Sequence, residues 1–161
     1  MKIASILTAV IIMLFAGISR SDDQSLNVRD LHPFGISLNA GGVVIGGASL
    51  DIFLTNTINL ELCAGLGFGG GLRYYFSGDD PAVKWAPYIG GYFGMLPLIE
   101  FLDSDDGDDW RPNTYIPLGI HYISDSGFSM AFEGGYMHAF ATDDVSSLDI
   151  PMGAIKIGWR F

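Results

Sequence analysis

The chain has 161 residues and a formal net charge of -10, from 8 Lys and Arg against 18 Asp and Glu, with 22 glycines, 13% aromatic and only 16% charged residues. Its length fits one domain, and the lack of any Lys/Arg cluster to neutralise phosphates excludes a nucleic-acid partner. A mean hydropathy of +0.34 is high for a soluble protein, yet past the N-terminus no apolar run approaches the roughly 20 residues of a spanning helix, so a membrane reading of this chain requires a closed barrel. The single Cys63 excludes an internal disulfide.

Met1 and Lys2 followed by the apolar run 3–16 have the charge, length and position of a cleaved secretory signal peptide, assigned to 1–20. Small residues at Gly17 and Ser19, or at Ser19 and Ser21, suit the cleavage site. Residues 21–32 show no period and read as a periplasmic lead-in.

From 33 to 161 a period of two takes over, the signature of strands with two unlike faces. Phe34, Ile36, Leu38 and Ala40 alternate with Gly35, Ser37, Asn39 and Gly41; after the glycine-rich break 41–47, Ala48, Leu50, Ile52 and Leu54 alternate with Ser49, Asp51 and Phe53. Thr55 and Asn56 turn the chain into Ile58, Leu60, Leu62, Ala64 and Leu66, set against Asn59, Glu61, Cys63 and Gly65. Residues 67–71 read as a turn with a glycine-kinked border, before Leu72, Tyr74 and Phe76 oppose Arg73 and Tyr75. Past the break 77–84, Trp85, Ile89, Phe93 and Met95 oppose Tyr88, Gly90, Tyr92 and Gly94. The acidic segment 97–112 reads as a long loop. Ile116, Leu118, Ile120 and Tyr122 then oppose Tyr115, Gly119 and His121, and Phe128, Met130, Phe132, Tyr136 and Phe140 oppose Ser129, Ala131, Glu133 and Met137. A second polar loop, 141–149, delivers the closing strand, in which Ile155, Ile157, Trp159 and Phe161 face away from Met152, Ala154, Lys156, Gly158 and Arg160. About eight strands are expected, with the long loops on one side.

The second face is mainly Gly, Ser, Asn, Ala and Tyr. A water-washed sheet surface would carry far more Lys and Glu, so this face reads as a filled polar lumen. Asp51, Glu61 and Glu133 meet Arg73, Lys156 and Arg160 there, three negatives against three positives. Charges confined in a narrow barrel persist when paired, which predicts a plugged lumen and no general porin activity. The opposite orientation, a soluble lipocalin-like barrel with the apolar face turned inward around a ligand, is the alternative.

The closing strand, with Ile155, Ile157 and Trp159 before a terminal Phe161, resembles that of bacterial outer-membrane β-barrel proteins. Over 33–161 the architecture resembles the OmpA/OmpX-type transmembrane barrels, without a specific motif. The resemblance implies an all-β, membrane-embedded antiparallel up-and-down barrel in the bacterial outer membrane, in contact with outer-membrane lipid and lipopolysaccharide. It also implies that Ile155, Ile157, Trp159 and Phe161 are the signal read by the barrel-assembly machinery. A structural or surface-interaction role through acidic extracellular loops is expected, without a cofactor. The same broad group includes lipid A deacylases and acyltransferases, which makes a lipid A-modifying enzyme the rival reading. His138 lies on the apolar face at the outer rim beside Asp143, Asp144, Ser146 and Ser147, yet no closely spaced His-x-Ser pair of the deacylase kind is present. Asp103, Asp105, Asp106, Asp108 and Asp109 offer the carboxylate oxygens a hard cation takes; a solvated acidic loop is the plainer reading of the same run.

Overall fold

The alternating stretches form eight strands: β1 (Phe34–Gly41), β2 (Gly46–Phe53), β3 (Ile58–Gly65), β4 (Phe68–Tyr75), β5 (Trp85–Pro97), β6 (Trp110–Ile123), β7 (Phe128–Ala139) and β8 (Leu148–Arg160), preceded by one short helix, α1 (Val28–Leu31). The computed structural model describes residues 27–97, 110–141 and 146–161; the expected signal peptide, most of the lead-in, and Asp103, Asp105, Asp106, Asp108, Asp109, Asp143 and Asp144 lie outside them. Each strand pairs antiparallel with its sequence neighbours, and β1 pairs with β8 from Gly35 opposite Arg160 to Gly41 opposite Ala154. The sheet is therefore a closed up-and-down barrel in which every strand has a neighbour on both sides.

We call the end where β1 begins and β8 finishes the near end, and the other the far end. The wall is uneven. Strands β1 to β4 have 8 residues each, whereas β5, β6, β7 and β8 have 13, 14, 12 and 13. Three boundaries differ from the sequence expectation. The glycine run 69–71 belongs to β4 rather than to a turn, β6 starts already at Trp110, and β8 starts at Leu148. Pro117 also sits inside a strand: the β5–β6 register passes from Ile89 opposite Leu118 directly to Tyr92 opposite Tyr115, a break that suits a residue with no N–H to donate.

Period two sorts the side chains cleanly. The outer face exposes Ile36, Leu38, Leu50, Leu62, Leu72, Phe93, Ile116, Leu118, Ile155 and Ile157. Aromatic pairs gather at both rims: Tyr74 with Phe76 (5.6 Å between centroids), Trp85 with Tyr122 (4.9 Å) and Phe128 with Trp159 (6.1 Å) at the near end, and Phe68 with Trp110 (5.2 Å) at the far end. The inner face is filled. Inward glycines make room for inward rings: a Cβ on Gly71 would lie 2.6 Å from the Tyr92 ring, and one on Gly119 2.6 Å from Cζ of Tyr88.

Both ends of the interior are occupied by short irregular segments. At the near end, the Asn27 side chain caps α1 by accepting from the Arg29 amide (3.0 Å); Val28 is buried with Phe53, Tyr75 and Ile123, and the buried Arg29 lies over the Phe53 and Tyr75 rings. Asn27 Nδ2 donates to the Gly78 carbonyl (2.7 Å), and the Arg29 guanidinium to those of Gly78 and Val83 (both 3.4 Å). At the far end, the turn 42–45 folds inward: Val43 and Val44 are 3% and 1% exposed and pack with Cys63, Tyr92, Leu96, Tyr115 and Met137. Gly41 and Gly42 make that turn possible with φ of +92° and +79°.

Candidate functional site

The six charged residues singled out in the sequence all lie inside the barrel, and they fall into two groups. Near α1, Asp51 pairs with Arg160 and also accepts from Asn59 Nδ2 (2.7 Å). The Arg160 guanidinium lies 4.4 Å from the Phe53 ring centre and donates to the carbonyls of His32 (3.0 Å) and Pro33 (2.8 Å), which ties β8 to the segment leaving α1. Gly35 permits this: a Cβ there would sit 2.9 Å from Nη1 of Arg160.

Halfway along the axis, Glu61 is fully buried and accepts from Arg73 Nη2, from the Tyr92 hydroxyl (2.6 Å), from Lys156 Nζ (3.0 and 3.1 Å) and from Cys63 Sγ (3.3 Å). Lys156 also faces Glu133 at 3.4 Å, whose other oxygen accepts from the Tyr88 hydroxyl (2.5 Å). Arg73 donates through Nε to Tyr92 (2.5 Å), and its guanidinium lies 5.1 Å from the Tyr88 ring centre. The Tyr75 hydroxyl continues the chain to His121 Nδ1 (2.8 Å). One connected set of polar groups thus spans the interior from β3 to β8. Opposite charges in a medium of low polarity, each with further hydrogen bonds, are the condition under which buried ions are tolerated.

Two further buried cations join these: Arg111, which donates through Nε to the Phe140 carbonyl at the far end (2.8 Å), and Arg29, which sequence reasoning left in the lead-in. Its guanidinium lies 5.8 Å from the Phe53 ring centre and 5.6 Å from that of Tyr75, and burial lowers its pKa from the ordinary value, with the Tyr75 hydroxyl acting in the other direction. Nothing in the sequence flagged it, because a buried Arg in a four-residue helix has no periodic signature. Outside the barrel, Lys84 donates to Asp125 (2.6 Å), and that hydrogen bond raises its pKa. Such an exposed bridge contributes little.

Ile155, Ile157 and Trp159 stand exposed on the outer face of β8, and the main chain of Phe161 exchanges hydrogen bonds with Phe34 (2.8 and 3.1 Å). His138 points outward at the far rim, with Nδ1 2.6 Å from Asp149 Oδ1 and its ring 4.8 Å from that of Phe140. Asp149 was assigned to a loop from the sequence; it is the cross-strand neighbour of His138 because β8 begins earlier. Ser146 and Ser147 are exposed in the chain leading to it. Among the described residues, no cluster of three or more His, Cys, Asp or Glu side chains could hold a metal ion, and no helix is long and apolar enough to cross a membrane. Known protein-family models give no match to this chain, and neither do curated protein sequences.

Proposed function

We propose that this protein is a small bacterial outer-membrane β-barrel with a plugged lumen, whose role is structural or surface-interacting through the acidic segments joining β5 to β6 and β7 to β8. The observation that carries this reading is the inversion of the usual polarity. The barrel turns Leu, Ile and aromatic side chains outward all the way round, and seals its ion pairs inside. An exposed apolar surface of that extent is stable against hydrocarbon rather than water, and it argues against the lipocalin-like alternative. The aromatic pairs near both rims suit the two interfaces of a bilayer. In this reading the 3–16 run is the signal for export, the near end faces the periplasm, and the face of β8 ending at Phe161 is what the assembly machinery engages.

Cell fractionation followed by gel electrophoresis with and without boiling tests it. The expected result is recovery in the outer-membrane fraction and a band whose mobility changes on heating, as a closed barrel resists detergent until heated. A soluble protein without a mobility change would overturn the proposal. A stable, large conductance in planar bilayers would refute the plugged lumen while leaving the barrel intact.

The hydrogen bond between His138 and Asp149 favours one second reading, lipid A modification at the far rim, since a carboxylate that orients an imidazole is half of a general-base arrangement. Under that reading His138→Ala changes the lipid A mass profile of cells expressing the protein; under the structural reading the profile stays the same.

A further inference from the structure

Strand β8 outruns one of its neighbours. Its pairing with β1 ends at Gly41 opposite Ala154, while its pairing with β7 continues to Ala139 opposite Leu148. From Gly153 back to Leu148, one side of β8 therefore has no strand beside it, because the chain leaves the wall at Gly41 and Gly42, with φ of +92° and +79°, and turns inward. That turn spends its main-chain groups on itself: Gly41 N–H donates to the Ile45 carbonyl (2.5 Å) and Ile45 N–H to the Gly42 carbonyl (3.2 Å).

Strand parity decides which groups face the gap. Phe34 and Phe161 exchange both main-chain bonds, and Arg160 N–H donates to the Gly127 carbonyl (2.8 Å). Odd-numbered residues of β8 therefore direct their N–H and C=O towards β1, and even-numbered ones towards β7. In the gap the odd residues are Gly153, Pro151 and Asp149, all exposed. The Gly153 carbonyl stays covered, since a Cβ on Gly41 would run into it. The Asp149 N–H and C=O and the Pro151 C=O face the open side, where among the described residues no hydrogen bond reaches them. Pro151 suits such a place, because its missing N–H costs a ladder bond only where a strand lies alongside.

Main-chain groups left open along a strand are a template for another strand. We propose that this edge of β8 binds, by antiparallel strand addition, an extended basic segment of another protein in which Lys or Arg alternates with aliphatic residues. Opposite Asp149 the segment exchanges two main-chain bonds, and opposite Pro151 it donates a third. Directly opposed residues share a face, so the side chain opposite Asp149 stands on the outer face beside that carboxylate. The one opposite Ile150 turns inward, next to the cluster of Val43 and Val44 against which Ile150 packs. Charge selects the occupant. Asp143 and Asp144 precede Asp149 in the chain, and a second copy would bring the same carboxylates and a further net charge of -10 to the same edge; like charges opposed across strands are destabilising. Where the segment is met rests on the surface role proposed above, whereas the edge is the same whatever surrounds the barrel.

The experiment is amide exchange by NMR on the full folded chain, with the end-blocked peptide Lys-Val-Lys-Val-Lys as probe. In the free protein the Asp149 amide exchanges fast and the Ile150 amide, which faces β7, slowly. Saturating peptide slows exchange at Asp149 by about tenfold or more and leaves Ile150 unchanged. Methylating the main-chain nitrogens of the lysines, which face β8, abolishes the effect; methylating those of the valines, which face away, preserves it. Asp149→Pro removes the donor from the open side and weakens peptide binding. Should that variant fail to fold, the two methylated peptides decide on the native chain. An Asp149 amide already protected in the free protein, protection that rises with protein concentration alone, slowing that fails to saturate, or equal binding of the two methylated peptides or of a glutamate-for-lysine peptide would overturn the proposal. A failed fractionation test would instead strike the membrane location and leave these amide rates as expected.

Discussion

Removing the Glu61 carboxylate leaves Arg73, Tyr92 and Lys156 without their shared acceptor, and a buried ion pair broken on one side costs about 3–5 kcal/mol. Glu61→Leu is expected to lower the unfolding free energy by that amount in urea titrations of the folded protein. The double substitution Glu61→Leu with Lys156→Met recovers part of the loss, because one fewer cation is stranded. A second contrast lies among the glycines. Gly71→Ala pushes a methyl into the Gly91 carbonyl and the Tyr92 ring, and Gly119→Ala into the Tyr88 ring and the Phe132 carbonyl, clashes worth about 1–3 kcal/mol or more. Gly91→Ala and Gly134→Ala meet nothing within 4 Å and should stay within about 0.5 kcal/mol. The same unfolding titration separates the two pairs. The sequence placed Tyr75, Tyr88 and Tyr92 on the inner face as bulk, because alternation reports which side a residue faces. It could not reveal that Tyr92 links Arg73 to Glu61, since hydrogen-bond partners come from strands far apart in the chain.

The same division holds for the elements. Eight strands were legible because each keeps apolar residues on one face for several repeats. Their ends were not, because the signals there conflict: Pro112 and the acidic run before it obscured the start of β6, and Asp149 disguised the start of β8. The segments filling the two ends were missed for a different reason. Helix α1 is shorter than one window of periodicity, and Val43 and Val44 stand between glycines that read as a break. Each acts through what it covers rather than through a pattern of its own. Deleting 27–32 leaves every strand pair in place, so the heat-dependent mobility change should persist. Without Val28 and Arg29 over Phe53 and Tyr75, however, amide exchange at Tyr75 and Ile123 should accelerate by hydrogen-exchange mass spectrometry. Exchange unchanged at both positions would mean that α1 seals nothing.

For the molecule as a whole, the distribution of charge matters more than its sum. The interior takes Arg29, Arg73, Arg111, Lys156 and Arg160 against Asp51, Glu61 and Glu133, so the surface is more acidic than the net charge of -10 implies. The wall is equally uneven. Eight residues of tilted strand rise about 20 Å, whereas 12–14 residues rise about 30–35 Å, and a typical hydrocarbon core is about 30 Å thick. On the membrane reading, the side formed by β1 to β4 is too short for such a core, so the barrel should fold faster into bilayers of short-chain phosphatidylcholine than into longer-chain ones; equal rates would argue that the short wall does not face lipid. A cylinder with unequal walls cannot stand upright in a slab of even thickness. On that reading it leans, and the lipid thins beside its low wall.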